Sequence, residues 1–325
     1  MRIVKRRIAL LAALLATTLS VSACGGGGGE GGGDGAGATG NVELQDATLT
    51  VGSKEFTEQL ILGQMAIQVL ENAGAQVKDE TGIVGTDTVR TALTSGQIDL
   101  YWDYTGTGWT SFLDHKATGA PSDPQELFQK VAQEDLAKNK IKWFALSPVN
   151  NSYAIATTAD RAKQLGIATL SDYAELAKTK PQDASLCAAT EFLTRSDGWP
   201  GVEKAYGFTL PKQYVSEVDL GIIFTQVPSG DRCKFGEVFS TDGRIAANDM
   251  LVLEDDKDFF VKYNLAMTTR EEVFDKYPQL EKLFTPLAEK LTTETMQKLN
   301  AQVDAEGLPA KQVAQKWLED NGFLD

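Results

Sequence analysis

After residue 46 the chain alternates short apolar segments with stretches of helical periodicity, and this alternation limits its fold more than any other feature. Residues 49–51 predict a strand, and a helix capped by Thr57 follows and runs to Asn72. Apolar residues recur along this helix at helical spacing, so one face is expected to pack on a sheet. Residues 98–102 predict the next strand. Such alternation is typical of α/β architecture with largely parallel sheets.

The rest of the chain continues the pattern. Asp87 is the predicted cap of a second helix. Asp123, Pro124 and Glu126 fit the N-cap, the first helical position and the capping-box partner of a helix that runs to Asn139. Further strands are predicted at residues 153–157, 222–226 and 250–253, further helices at 171–178 and 201–206, and residues 266–325 are predicted to be helical.

The beginning of the chain predicts export and a membrane anchor. Basic residues precede an apolar stretch at residues 8–19, which is a secretory signal pattern and is short for a membrane span. The sequence VSAC that ends at Cys24 resembles the lipobox of bacterial lipoproteins, whose cysteine is lipidated and becomes the first mature residue. An ordinary signal peptide with a chance cysteine is the alternative. Residues 1–23 are therefore interpreted as a signal peptide, and 24–46 as a lipidated, glycine-rich, flexible tether.

The net charge indicates which partners the chain avoids. The full sequence carries −14, and removing the four positive charges of the signal leaves about −18. A surface this acidic repels nucleic acid and mildly favours the approach of cations. No nucleic-acid partner is therefore expected.

The cysteines point to a disulfide rather than to a metal site. With Cys24 lipidated, Cys187 and Cys233 remain, and an even pair in an exported chain most simply forms a disulfide. The single His115 lies far away in sequence, so no zinc-ligand spacing is present. We expect no metal and no cofactor.

Catalytic motifs are missing from the sequence. It contains no Gly-x-Ser-x-Gly nucleophile elbow, no phosphate-binding glycine loop and no dinucleotide fingerprint after its first strand. A pair of catalytic carboxylates among the many acidic residues stays open. The favoured interpretation is a binding protein and not an enzyme.

Three motifs give a more specific interpretation. They are VGSKEFTEQ at residues 51–59, DLYWDYTGT at 99–107, and STDGRI at 240–245 followed by LVLEDD at 251–256. In order and spacing they resemble the glycine betaine, carnitine and choline binding proteins of osmoprotectant ABC importers. The resemblance extends from about residue 48 to 322.

This resemblance implies a two-lobe type II periplasmic-binding-protein fold with the ligand in a cleft between the lobes. Residues 47–150 and 266–325 are expected to form lobe I, and residues 151–265 to form lobe II, which would contain both Cys187 and Cys233. The implied partners are a small quaternary amine and the membrane subunits of an ABC importer. A monomer, lipid-anchored on the extracytoplasmic face of the cell membrane, is expected.

The resemblance also implies an aromatic cage for the ligand. A trimethylammonium head has no hydrogen to donate, so ring faces must hold it, at about 0.5–2 kcal/mol each. The positions that match the family's cage are Tyr104, Tyr153, Phe239 and Tyr263. Phe239 departs from the family, which usually has tyrosine there, and this departure leaves the exact ligand open.

Polar ligand contacts are expected at four further positions, namely Thr107, Asn151, Arg195 and Gln59. Arg195 matches a family arginine that can reach a ligand carboxylate, and an ion pair between surface groups or lobes is its alternative role. Asp242 and Arg244 are expected to brace a turn. Two alternative functions stay open at this point, a site for a bulkier betaine such as ergothioneine and a lipid-anchored extracellular enzyme or receptor.

Overall fold

The computed structural model describes residues 42–324 and contains ten strands and fourteen α-helices within that range. The predicted signal peptide, the lipidation site Cys24 and most of the predicted tether lie outside it. The strands are β1 (Thr48–Lys54), β2 (Gln76–Ile83), β3 (Leu100–Tyr104), β4 (Ile141–Phe144), β5 (Tyr153–Thr158), β6 (Leu186–Ala188), β7 (Val215–Glu217), β8 (Phe235–Phe239), β9 (Met250–Val252) and β10 (Leu265–Arg270).

The helices differ widely in length, from one turn to sixteen residues. They are α1 (Thr57–Asn72), α2 (Thr86–Thr94), α3 (Thr105–Thr107), α4 (Pro124–Asn139), α5 (Ala159–Leu165), α6 (Leu170–Thr179), α7 (Thr190–Thr194), α8 (Trp199–Tyr206), α9 (Leu220–Ser229), α10 (Arg244–Ala247), α11 (Glu271–Lys276), α12 (Gln279–Lys290), α13 (Thr293–Asp304) and α14 (Ala310–Asp320). No helix among the described residues has the length and apolar character that crossing a membrane requires.

The strands form two five-stranded sheets. The first has the order β2-β1-β3-β10-β4, and the second has the order β7-β6-β8-β5-β9. The first sheet combines strands from residues 48–144 with β10, whereas the second takes all its strands from residues 153–252. Strand β10 begins at Leu265, one residue before the predicted start of the second part of lobe I.

The prediction of largely parallel sheets is wrong for half of the strand pairs. Strand β10 is antiparallel to both β3 and β4, and β5 is antiparallel to both β8 and β9, while the four other pairs are parallel. The reason is that β5 and β10 are the strands that receive the chain as it passes from one sheet to the other. The two passing segments lie side by side, since Asn150 and Asn264 form an antiparallel bridge and Asn151 N donates to Tyr263 O at 3.0 Å.

Helix boundaries follow the capping pattern with two corrections. Asp123 caps α4 by accepting a hydrogen bond from Glu126 N, and Pro124 takes the first helical position, as predicted. Thr57 is instead the first residue of α1, whose N-cap is Phe56. Similarly, Asp87 lies in the first turn of α2, because the N-cap is Gly85 with a φ of 88° that favours glycine.

The predicted strand at residues 222–226 is also wrong, because these residues lie within helix α9. Its apolar run resembles a strand, but Ile223 and Val227 are buried one helical turn apart, while Ile222 is 43% exposed. Gly230 ends the helix in the left-handed conformation, which is a common helix stop. The neighbouring turn signals therefore outweigh the β-branched composition.

Each sheet is covered by helices and carries its own buried aromatic or apolar residues. Trp102, Trp143 and Phe284 are buried beside the first sheet. In the second, Cys187 and Cys233 form a disulfide with a Cα–Cα distance of 5.5 Å, packed among residues such as Ile223 and Val227. The disulfide ties β6 to the segment before β8, and closing such a loop typically contributes about 2–4 kcal/mol.

Candidate functional site

A small cavity of about 70 Å³ lies between the two sheets, and aromatic rings form much of its wall. The rings are Phe56, Tyr104, Tyr153, Phe239 and Tyr263. Four of them stand at strand ends or next to them, where side chains from different strands meet. The fifth, Phe56, is the N-cap of α1. Rings from both sheets therefore face one small space.

The rings follow one another in contact around the cavity. Phe56 stacks against Tyr104 with ring centroids 6.4 Å apart and against Phe239 at 5.1 Å. Tyr153 lies 5.3 Å from Phe239 and 5.7 Å from Tyr263, the latter at an edge-on angle of 77°. Tyr153 and Phe239 are also directly paired residues of β5 and β8. The pairing of strands thus sets the geometry of the wall.

Hydrogen bonds at the phenol ends hold two of these rings in place. Tyr104 donates to Glu58 Oε1 at 2.6 Å and accepts from Gln59 Nε2 at 3.1 Å. Tyr263 donates to Asp197 Oδ2 at 2.5 Å. Burial holds the pKa values of Tyr104 and Tyr263 well above their usual value, so both stay neutral phenols.

The four predicted polar residues have different positions. Thr107, Asn151 and Arg195 line the small cavity. Gln59 is fully buried behind it, where it orients Tyr104 and accepts from Lys54 N at 3.3 Å.

Arg195 is held in an ion-pair cluster beside the rings. Its Nε and Nη2 donate to Asp197 at 2.8 and 2.6 Å, and its Nη1 donates to Glu191 at 2.9 Å. Its guanidinium carbon lies 5.9 Å from the centroid of Tyr153. Burial raises the pKa of Asp197, but Arg195 outweighs this and holds that pKa below its usual value. Asp197 and Glu191 therefore both form ion pairs with Arg195.

The same cluster joins the two sheets across the cleft. Thr110, from the segment after α3, donates to Asp197 Oδ2 at 2.5 Å. Thr86, the first residue of α2, donates to Glu191 Oε1 at 2.6 Å. These two contacts link elements of the first sheet to α7 and the residues that follow it.

Glu58 is the centre of a second buried network. Besides Tyr104, its carboxylate accepts from Asn151 Nδ2 at 2.8 Å and from Asn300 Nδ2 at 3.2 Å. Asn300 also donates to Thr241 O at 2.9 Å. Burial raises the pKa of Glu58 above its usual value despite these hydrogen bonds. The network joins α1, a passing segment, α13 and the loop after β8.

A larger cavity of about 1080 Å³ adjoins the small one and is strongly acidic. Two arginines line it, Arg195 and Arg244, and Arg244 pairs with Asp242 at 2.6 Å in the turn that this pair was expected to brace. The nine carboxylate residues in its wall are Glu55, Glu58, Asp87, Glu191, Asp197, Asp219, Glu237, Asp242 and Asp304.

Three of the small-cavity residues that sequence reasoning missed bear on the chemistry of the site. Phe56 lies inside the motif at 51–59 and, as an aromatic residue at a strand-to-helix turn, gave a usable signal. Lys54 contacts Asp103 at 3.0 Å and lies 5.5 Å from the Tyr104 ring centroid. Glu237 lies on the same face of β8 as Phe239, and its burial has no signature in sequence. Within residues 42–324 no cluster of three or more potential ligand side chains could hold a metal ion.

Comparisons with known proteins agree on one family. The family described as "Substrate binding domain of ABC-type glycine betaine transport system" matches residues 47–320. The "Glycine-betaine-binding protein" of Pseudomonas aeruginosa is 35% identical over 288 residues, which cover 86% of this chain and 90% of that protein.

Two further similarities bear on the site. The "Ergothioneine transport permease/ergothioneine binding protein EgtU" of Helicobacter pylori is 33% identical over 86% of this chain and 49% of that protein. The structure of apo YehZ from Escherichia coli is similar with a TM-score of 0.63 and 32% identity, covering 85% of this chain and 99% of that one.

Proposed function

The chain belongs to the family of substrate-binding domains of ABC-type glycine betaine transport systems, and we propose from this that it binds a quaternary ammonium compound and delivers it to an ABC importer. Its two sheets correspond to the two lobes of that fold. The observation that carries the proposal is the set of five aromatic rings, contributed by both lobes, around the cavity of about 70 Å³.

The chemistry of this cavity suits a permanent cation. Ring faces attract a trimethylammonium group through their quadrupole, at about 0.5–2 kcal/mol per ring. Acidic residues surround the rings, so the local potential favours positive charge as well. Glycine betaine, choline and carnitine all carry this head group, and it is the feature that the site is proposed to recognise.

Delivery requires that the ligand favour one arrangement of the lobes. A ligand that touches rings of both lobes binds best where those rings converge, and it therefore stabilises the closed arrangement. We propose that bending occurs in the passing segments around Asn150 and Asn264 and that the membrane subunits of the importer recognise the closed form. Small-angle scattering should give a smaller radius of gyration with ligand than without it, and an unchanged radius would contradict closure.

The cellular location is part of the same proposal. A signal peptide at residues 1–23, a lipid on Cys24 and a glycine-rich tether at 24–46 would hold a monomer on the extracytoplasmic face of the membrane. Cys24→Ser is expected to move the protein from the membrane fraction to the soluble extracytoplasmic fraction. Retention of the variant in the membrane would contradict the anchor.

We further propose that the protein binds without turnover. Membership in a family of transport domains supports this, as do the hydrogen bonds and ion pairs that Glu58, Glu191 and Asp197 form within the protein. In this proposal residues 47–150 and 266–325 form lobe I and residues 151–265 form lobe II, and the two lobes together form a ligand-binding site and no catalytic site.

Calorimetric titration with glycine betaine, choline and carnitine tests the proposed function. Tyr153→Leu keeps an apolar side chain in the wall but removes the π face, and it is expected to weaken binding about tenfold or more. Tyr214→Leu, at a half-buried tyrosine outside both cavities, is the matched control and should bind like the wild type. If the folded wild type binds none of the three compounds, the proposal fails.

A bulkier betaine is a second candidate, and two observations favour it. The cavity of about 1080 Å³ next to the rings has room for a larger body, and a relative of 33% identity is named for ergothioneine. A thermal-shift panel compares the compounds directly, because a bound ligand raises the melting temperature by mass action. A shift with glycine betaine but none with ergothioneine would remove this candidate.

A further inference from the structure

Glu237 occupies an unusual position for a carboxylic acid. It lies on β8 two residues before Phe239, so both side chains are on the same face of the strand. Its side chain lines the small cavity together with the rings and also lines the large one. Only 2% of the residue is exposed. A carboxyl group so deeply buried is costly unless an opposite charge or hydrogen bonds compensate for it.

The protein supplies little compensation at this position. Glu237 Oε2 accepts a hydrogen bond from Ala189 N at 2.7 Å. Among residues 42–324, no lysine or arginine forms an ion pair with Glu237, whereas Arg195 pairs with Asp197 and Glu191 instead. Burial raises the pKa of Glu237 to about 8, Glu191 adds to this rise, and Ala189 N and Arg195 offset it only in part.

The positive charges around the rings are already offset by other acids. Arg195 faces two carboxylates, those of Asp197 and Glu191. Lys54 contacts Asp103 at 3.0 Å. A ligand carboxylate needs donors with positive charge that is still free, and neither of these two cations offers it. The wall of the small cavity thus suits a positive head group better than an anionic tail.

We propose that Glu237 is the counter-ion of the bound ammonium head and that it makes the site prefer quaternary ammonium compounds without a carboxylate, such as choline, over zwitterionic betaines of similar size. This inference rests on the proposed function, since it concerns the ligand class of the same cavity. It assigns a specificity-determining role to a residue whose side chain faces the ring cage.

A dependence on pH follows from this role. The charged groups that face Glu237 are Glu191 and Arg195 from the α7 region, with Lys54 and Glu55 in the same cavity wall. Tyr153 on β5 stays neutral, because burial raises its pKa. A bound cation lowers the pKa of Glu237, so binding releases a proton near neutral pH and affinity rises between pH 6 and pH 9. Each unit of that lowering corresponds to about a tenfold gain in affinity.

The test compares choline with glycine betaine by calorimetry at pH 6 and pH 9, where neither ligand titrates. Wild type is expected to bind choline at least tenfold more tightly than glycine betaine at pH 9, with a smaller preference at pH 6. Glu237→Gln keeps an acceptor for Ala189 N but has no charge, so its preference should be small and equal at both pH values. Glu203→Gln is the matched control, because this half-buried glutamate lines neither cavity and, like Glu237, accepts a hydrogen bond from a backbone N–H, that of Leu210 at 2.8 Å, so the variant should behave like the wild type.

The outcomes separate this inference from the proposed function. Wild type that binds glycine betaine as tightly as choline at pH 9, or a Glu237→Gln variant with the wild-type preference, would overturn the role of Glu237 while quaternary ammonium binding stands. A folded wild type that binds neither compound, nor tetramethylammonium, would remove both. Proton release, measured in two buffers of different ionisation enthalpy, tests the wild type even if the variant fails to fold.

Discussion

Two buried carboxylic acids line the same cleft from opposite lobes, and the protein gives them different numbers of hydrogen bonds. Glu58, in the first turn of α1, accepts hydrogen bonds from Tyr104, Asn151 and Asn300. Glu237, on β8 of the other lobe, accepts one from Ala189 N. Burial raises the pKa of both. The protein therefore supplies three hydrogen-bond donors to Glu58 but only one to Glu237.

This contrast suggests that the two sides of the cleft have different roles. A buried polar group that is fully hydrogen-bonded fixes the segments around it, because any loosening leaves several partners unpaired. A buried carboxyl group with few partners gains from a ligand that supplies the missing charge. We expect the Glu58 region to hold structure and the Glu237 region to recognise ligand.

Replacing each acid and measuring the free energy of unfolding tests whether Glu58 and Glu237 differ in structural role. Glu58→Ala removes the acceptor of the Asn151 amide and of the Tyr104 hydroxyl, and one of the two acceptors of the Asn300 amide. Unpaired buried groups cost about 1–3 kcal/mol each, so we expect a loss of about 3 kcal/mol in the free energy of unfolding. Urea denaturation measures this loss.

Glu237→Gln is the control for that experiment. Its amide oxygen still accepts from Ala189 N, so the free energy of unfolding at neutral pH should fall little or rise. Equal losses in Glu58→Ala and Glu237→Gln would mean that the two acids have the same structural role, and the proposed division would be wrong.

The next largest effect is expected at Phe56, which lies between the two regions. Its ring contacts both Tyr104 and Phe239. Phe56→Leu retains apolar volume but loses the π face, so affinity for choline should fall about tenfold, or about 1.4 kcal/mol. Phe128→Leu, a half-buried ring on α4 outside the cavities, is the matched control. A loss of stability without a loss of affinity would mean that Phe56 stabilises the fold, as the Glu58 region is expected to do, and does not recognise the ligand.

The last comparison concerns the pH dependence of stability without ligand. The pKa of Glu237 is about 8 in the folded protein and lies near 4.5 in the unfolded chain. The folded state therefore binds the proton more tightly, and the stability that this provides is present below pH 4.5 and is lost as pH rises through 8.

Glu237→Gln lacks this loss, so its stability relative to wild type should rise by several kcal/mol between pH 5 and pH 9, about 1.4 kcal/mol for each pH unit between the two pKa values. Urea denaturation across this range measures the difference between the two proteins. A difference that does not change with pH would show that Glu237 does not titrate there, and it would remove the contrast with Glu58.

The sequence predicts the general fold well because strand–helix alternation and capping are local properties. Asp123 caps α4 as predicted, since its signal lies within four residues. The strand prediction for residues 222–226 is wrong because a β-branched run is compatible with a strand and with a buried helix face. Only the packing of Ile223 and Val227 decides between strand and helix. The antiparallel strands β5 and β10 depend on where the chain returns, which no local pattern encodes.

Four of the five aromatic side chains around the small cavity could be predicted, but the balance of charges there could not. Tyr104, Tyr153, Phe239 and Tyr263 were all predicted from motif positions, and the structure places these four around one cavity. Glu237 is one carboxylate among 45 acidic residues, and its importance comes from burial without a cationic partner. Burial of this kind depends on contacts between distant segments, such as β8 with the residues after β6.

The most direct test of whether the site recognises positive charge compares choline with its neutral carbon isostere. In this isostere a tert-butyl group replaces the trimethylammonium group. The two molecules have nearly the same shape, so calorimetric titration of the wild type isolates the contribution of the positive charge. If aromatic rings of both lobes and Glu237 recognise a cation, choline should bind at least a hundredfold more tightly than the isostere. Equal affinities would show that the cavity selects shape alone and would contradict the account.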